Sequence, residues 1–440
     1  MRHESATMDP PWVRGFEQVT NVFSDNLIRA RAAAPQAPEL LVPATSHTLF
    51  FPTEPFMTEA HMKLPVGRQR MEVLHISDYE RAEEALHGRA ESGPFSQAFE
   101  PKPLRLLRRR FGIGHVNKGG PWMLDEPALT DVRRLISGPF KPAQARSLGL
   151  EMARTCGDVL REMLARDDRV LDVGTYANEV HFRMMALIMG VDENLAPVFR
   201  DWMRVFNDSE SLATLNRQPD IRRRLGALLS EAEAAQVAGT DAQGLLGELA
   251  REHLAGAAIG TSRLRRSDVI SLLWAVIAAG TDTPGTAATA TVYFTLQTGD
   301  FRRLAALDRA RAAGAEALRF YPPFPKPLLK VTRDCALGGA PLKKNQWVEV
   351  HLPAVNRDER LFTHPHEFDI DRSDAKNSRP FGDIPHYCIG SHYGLMVGSY
   401  VVSALADNLP DLALLPEPRP YRRHTGLLHR FDSMPALTNL

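Results

Sequence analysis

Phe381-Gly382-Asp383-Ile384-Pro385-His386-Tyr387-Cys388-Ile389-Gly390 is the most informative stretch of this chain. Gly382 and Pro385 mark it as a loop, and a helical pattern from about Ile389 to Asn408 follows it directly. A cysteine at a helix start has its thiolate favoured by the helix dipole and by free amides. That makes Cys388 a candidate soft ligand for a metal. The commoner fate of a lone cysteine is a small buried hydrophobe. Zinc is disfavoured, since Cys388 has no CxxC partner and only His386 close by. One thiolate without a second protein ligand suits a haem iron, whose equatorial positions the porphyrin fills.

Three further features precede this loop in a fixed order. Ala279-Gly280-Thr281-Asp282-Thr283 interrupts a long apolar helical pattern over residues 266–298, with Pro284 next. Asp, Thr and Gly are poor interior helix residues, and Pro removes a backbone hydrogen bond. Either the helix opens locally to face a ligand, or it ends at Gly280 and restarts at Pro284. In the first case an acid beside an alcohol can relay protons. Glu316-Ala317-Leu318-Arg319 puts an acid and a base on one helix face. Such pairs are common on surfaces, but here apolar flanks, including Phe320-Tyr321-Pro322-Pro323, point to burial. The charged stretch from Asn356 to Arg372 reads as a surface loop, or as a loop that Arg372 ties to the Glu316–Arg319 pair.

The rest of the chain sets limits. It has 440 residues with 53 basic and 53 acidic side chains, so no global field draws it to nucleic acid or anionic lipid. Three cysteines cannot make a disulfide framework, which points to a reducing, cytoplasmic setting. Neither a secretory signal nor an apolar run long enough to span a membrane is expected. Residues 70–76 and the segments 328–333 and 347–352 read as strands, with a turn at Gly338-Gly339. Ser77 and Glu80 read as a capping box opening a helix to His87. Helical patterns follow at 128–137, 142–166, 175–190, 193–214, 218–237, 241–254 and 266–298. The expected class is mainly α with a small β region, folded as a single domain over 1–440 with a flexible segment at 1–22.

In this order and at these separations, the four features resemble the cytochrome P-450 monooxygenases, in their soluble bacterial type. The match runs from about Ala128 to Leu437. The resemblance implies a triangular helical prism with a long central helix over haem b (iron protoporphyrin IX) and Cys388 as axial thiolate. It makes Phe381 and Gly390 part of the ligand loop and Ala279 and Gly280 haem neighbours. Asp282 and Thr283 would deliver protons to dioxygen, and Glu316, Arg319 and Arg372 would form a structural triad. A small-molecule substrate is implied, with electrons from a ferredoxin or flavodoxin and its reductase.

Departures from the family pattern mark a divergent member. Ile384 stands where the loop normally has Gly, and Pro385 follows it, which would stiffen the loop and leave the thiolate less open to amides. Of the usual propionate partners only Arg133 survives, so Arg133 and His386 are expected there, with Lys330 as a further candidate. By analogy the substrate pocket would be lined by Phe95, Phe99, Met203, Phe206, Val276, Pro325, Leu328, Leu427 and Leu428. Two rival functions stand beside the monooxygenase. One is a haem-thiolate enzyme that inserts no oxygen from dioxygen: peroxide-using, radical coupling or isomerising. The other is a helical ligand-binding protein without haem.

Overall fold

The structure is a computed structural model that describes residues 56–64, 67–88, 93, 95–96, 124–167, 169–209, 219–240, 242–415, 421–424 and 428–439. The segment 1–22 lies outside the described residues. Twelve helices are described: α1 (Tyr79–His87), α2 (Ala128–Ile136), α3 (Pro142–Ser147), α4 (Gly149–Leu164), α5 (Val173–Met189), α6 (Ala196–Ser209), α7 (Pro219–Val237), α8 (Gly244–Leu254), α9 (Arg266–Thr298), α10 (Leu307–Phe320), α11 (Leu352–Val355) and α12 (Ser391–Asn408). The helix expected over 142–166 is two helices that meet at Leu148. Helix α1 is capped by Asp78, which accepts from the Arg81 amide, so the cap sits one residue later than Ser77.

The strands come from both parts of the chain. β1 (Phe56–Leu64), β2 (Gly67–Ile76) and β3 (Phe95–Ser96) lie near the start, and β4 (Val170–Asp172), β5 (Ala258–Ile259) and β6 (Ser262–Arg263) lie among the helices. β7 (Leu328–Val331), β8 (Cys335–Leu337), β9 (Ala340–Leu342), β10 (Trp347–Val350), β11 (Ala413–Leu414), β12 (Tyr421–His424), β13 (His429–Ser433) and β14 (Pro435–Leu437) follow. The largest sheet has the order β1-β2-β10-β7-β3. β10 runs parallel to β2 and antiparallel to β7, with Glu349 level with His75 and Leu328. The expected turn at Gly338-Gly339 joins β8 to β9, with both residues at positive φ (53° and 81°).

The sheet divides the core. Leu74, Ile76, Leu329, Val331, Val348 and Val350 pack against α1 in one cluster. A larger cluster surrounds α9, which contacts α5, α10 and α12. Most of this 33-residue helix is buried. Among the described residues no helix is long and apolar enough to cross a membrane.

Glu316 and Arg319 do not lie on a surface: both are buried on the last turns of α10. Arg319 donates from Nε and Nη2 to the two oxygens of Glu316, each at 2.7 Å. Arg372 donates to Glu316 Oε1 at 3.2 Å, as the sequence led one to expect. The guanidinium groups also donate to carbonyls of the loop that follows α11: Arg319 to Asn356, Pro365 and Glu367, and Arg372 to Thr363, His364 and Glu367. A third buried arginine, Arg357, was not singled out by its sequence context. It donates to the carbonyls of Pro353 and Phe320 and lies 4.0 Å over the Phe320 ring. Burial and the neighbouring charge of Arg319 push its pKa down to about 9.

Removing Glu316 leaves buried Arg319 without a carboxylate and Arg372 with Asp374 alone at 3.1 Å, a loss of about 3–5 kcal/mol. Glu316→Ala is therefore expected to yield little soluble chain and a much lower urea midpoint. A wild-type midpoint would show that the network carries no stability.

Candidate functional site

The Cys388 loop is closed by its own backbone. The Cys388 amide donates to the Phe381 carbonyl at 3.0 Å, and Gly382 turns the chain at φ +70°. The Phe381 and Tyr387 rings meet edge to face at 6.2 Å. Asp383 anchors the other side, paired with Arg379 at 3.4 Å and His87 at 3.2 Å. His386 is half-buried in the same loop.

Helix α12 begins at Ser391, so Cys388 lies just outside its first turn. The expected help from the helix end reduces to one backbone N–H, that of Gly390, which donates to the sulfur. Burial pushes the Cys388 thiol up, and the Gly390 amide and the charge of Arg133 oppose it. The thiol is thus raised, where the sequence led one to expect stabilisation of the thiolate. Yet Cys388 also has exposed surface. A residue with exposed surface whose thiol is nonetheless surrounded by protein is placed as a group at the edge of a recess would be. It stands neither in the packed core nor on the outer surface.

Arg133 lies on α2, half-buried, with its Nη1 donating to the Tyr387 carbonyl at 2.7 Å. Burial lowers its pKa, while Cys388 and Glu126 hold it up. It therefore braces the loop backbone as well as placing a cation near the sulfur. Lys330 on β7 sits over Trp347, 5.9 Å from the ring centroid.

Helix α9 neither opens nor restarts: it runs unbroken through Gly280 and Pro284. Side chains repair the weak turn. The Thr281 and Thr283 hydroxyls donate to the carbonyls of Ile277 and Ala279, both at 2.8 Å. The small residues admit a neighbour. A Cβ on Gly280 would strike Met185 Cε, and one on Gly285 would strike Asn178 Oδ1. The side of Gly280 where a side chain would stand therefore faces α5. The sequence gives no sign of Met185 or Asn178, because both contacts are long-range.

Another face of α9 is open. Ala279 is exposed in mid-helix, and Thr283 and Ala287, each one turn further on, are half-buried. Asp282 is buried beside them. Helix α12 meets α9 in step: a Cβ on Gly394 would lie 3.7 Å from Pro284, and one on Gly398 would lie 3.9 Å from Ala288. That register brings the start of α12, and Cys388 before it, level with the Ala279–Thr283 turn.

The pocket residues divide. Val276, Pro325, Leu328 and Leu428 are buried, Val276 one turn before the open stripe. Phe95 is not pocket lining: it packs in the sheet core with Leu329 and Val331, against Gly88. Met203 and Phe206 fall on α6, but their side chains, like Phe99 and Leu427, lie outside what the structure describes.

These residues fit a haem-thiolate cofactor. Cys388 belongs to neither group of potential metal ligands found among the described residues, so a single sulfur is offered. It carries an amide donor and a nearby cation, and an open alanine stripe lies level with it.

Comparison with known proteins points the same way. The family model "Cytochrome P450" matches residues 297–405. Cytochrome P450 107B1 of Saccharopolyspora erythraea is 24% identical over 84% of this chain and 92% of its own length. The 6-deoxyerythronolide B hydroxylase of the same organism is 24% identical, over 71% of this chain and 76% of its own. Among solved structures, the Bacillus subtilis bacillaene polyketide synthase cytochrome P450 PksS shares the fold. Its TM-score is 0.70 at 18% identity, covering 87% of this chain and 93% of that one.

The Gly285–Asn178 contact gives a test of the α5–α9 packing. Gly285→Ala should overpack this contact and cost about 1–3 kcal/mol. Asn178→Ala in the same chain should restore most of the loss, read as coupling in a urea double-mutant cycle. Additive losses would mean that the two helices do not meet there.

Proposed function

The chain is a divergent member of the cytochrome P450 family, and from that premise we propose that Cys388 is its axial thiolate and Asp282 and Thr283 its proton relay. It is an oxidoreductase of the monooxygenase type, and its cofactor is haem b held by a cysteine thiolate. When bound, this group supplies dioxygen activation, which a thiolate ligand favours. The observation that carries the assignment is the enclosed sulfur of Cys388, a residue with exposed surface, level with the open stripe on α9.

The protein's own residues have distinct tasks. The Gly390 N–H and Arg133 oppose the burial that raises the Cys388 thiol. Thr283 donates its hydroxyl proton to the Ala279 carbonyl, which leaves its lone pairs free to accept. To pass a proton on, the hydroxyl must swing off that carbonyl, and buried Asp282 beside it is the group that would refill it. His386 and Lys330, with the remaining donors of Arg133, would hold the propionates.

We read residues 1–440 as one domain, since its main sheet joins β1 and β2 to β7 and β10. The substrate proposed is a small, largely apolar organic molecule, consistent with Val276, Pro325, Leu328 and Leu428. One relative is named for a hydroxylation of 6-deoxyerythronolide B, which supports a place in secondary metabolism or catabolism. Electrons would come from a ferredoxin or flavodoxin with its reductase, in the cytoplasm. Family membership counts against a haem-free binding protein, and the retained Asp282-Thr283 pair counts against an enzyme that inserts no oxygen.

Two measurements test this. Purified Cys388→Ala should lose the red-shifted absorption of the reduced, CO-treated protein. Retention of that band would remove Cys388 as the ligand. Thr283→Ala should keep haem and bind substrate but lose coupling, with product per reductant falling by about 10²-fold or more, as for the loss of a placed proton donor. Wild-type coupling in both Thr283→Ala and Asp282→Asn would end the relay assignment.

A further inference from the structure

The face of the main sheet turned away from α1 carries a buried cluster that the haem chemistry does not use. His75 on β2 is level with Glu349 on the adjacent strand β10, and His351 follows two residues on. All three are buried, at 1%, 2% and 4% exposure. His75 Nδ1 lies 3.0 Å from His351 Nε2 and 3.2 Å from Glu349 Oε1, and His351 Nε2 lies 3.3 Å from that same oxygen.

Three ligand atoms thus form a nearly equilateral triangle. Protons suit such a triangle poorly. A hydrogen bond wants a nearly straight D–H···A line, and a proton lying along one edge is badly aimed at the third atom. A metal ion suits it well. Two ligands about 2.1 Å from one ion are about 3.0 Å apart at a right angle and about 3.4 Å apart at the tetrahedral angle. The observed edges fall inside that interval. An ion about 2.1 Å from all three atoms would sit about 1 Å off their plane, leaving room for a fourth ligand.

We propose that His75, Glu349 and His351 form a binding site for a divalent transition metal, with zinc as the best match to two imidazoles and one carboxylate. The carboxylate is poorly served by hydrogen bonds: Glu349 Oε1 is buried and has no hydrogen-bond partner, although both imidazole nitrogens lie within 3.3 Å of it. Lys326 competes for the carboxylate, its Nζ 3.9 Å from the same oxygen, and its side chain is 21% exposed, so it can turn outward. The bound ion would clip β2, from the N-terminal part of the chain, to β10. This differs from the second acid–imidazole group, Glu83, His87 and Asp383, where Arg379 already pairs with both carboxylates.

The test uses the full-length, haem-loaded protein, stripped with a chelator and titrated with zinc alone against a chromophoric competitor. One zinc per chain is expected beside the haem iron, with a rise in melting temperature. Glu349→Gln and His351→Gln, each checked for an unchanged CO spectrum, should weaken zinc binding by about 100-fold or more, since losing a direct ligand should cost at least as much as losing an outer-sphere partner. His87→Ala should leave it unchanged. The proposal is overturned if the wild type takes up no zinc, if the folded variants bind as tightly as wild type, or if His87→Ala abolishes uptake.

Discussion

The Glu316–Arg319–Arg372 network is the constraint on which the site depends. Its guanidinium groups hold six loop-carbonyl contacts between residues 356 and 367, and the loop leads straight into the Cys388 segment. Asn356 carries the constraint onward. Its carbonyl accepts from Arg319, and its side-chain oxygen accepts from the Arg379 amide at 2.7 Å. Arg379 then pairs with Asp383 inside the Cys388 loop. A chain of polar contacts therefore runs from the end of α10 to the ligand loop, beside the buried rings of Phe362 and Phe368.

Such a network is costly to bury. Glu316 faces two arginines, only one of which, Arg372, has a second carboxylate in Asp374, and Arg357 adds a third positive charge close by. Carbonyl dipoles supply the missing negative potential, and charge-assisted bonds to them are stronger than neutral ones. The lowered pKa of Arg357 records how far that compensation is stretched. Buried charges of this kind are seldom the most stabilising choice of residues, but they fix one geometry and penalise others.

How much of this was legible in the sequence depended on range. The Cys388 loop, the Glu316–Arg319 spacing and helix α9 declare themselves through neighbours in the chain. So did the strand at 70–76, except that both of its faces read as partly apolar. The structure gives the reason: Leu74 and Ile76 enter the sheet core while His75 is buried on the other face. A histidine buried by partners 276 residues away leaves no local periodic signal. The same holds for Gly280 and Gly285. Gly280 and Pro284 suggested a weak helix, while the use of Gly280 and Gly285, admitting Met185 and Asn178, is set by helix α5. Local propensity read the helix as vulnerable, and tertiary packing with threonine side chains kept it whole.

The departure at Ile384 resolves on the same physical terms. Glycine is required where φ is positive or where another group approaches closely, and Ile384 meets neither condition. It is absent from the positive-φ residues of the described chain, while Gly382, two positions earlier, makes the left-handed turn at +70°. Its side chain is 64% exposed, pointing away from the packed interior. A branched residue there displaces nothing around the sulfur, and the Gly390 amide still reaches Cys388. The strain that the substitution would imply in isolation is therefore absent. What sets the thiol is its enclosure, opposed by the Gly390 amide and by Arg133, and the exposed Ile384 side chain is none of these.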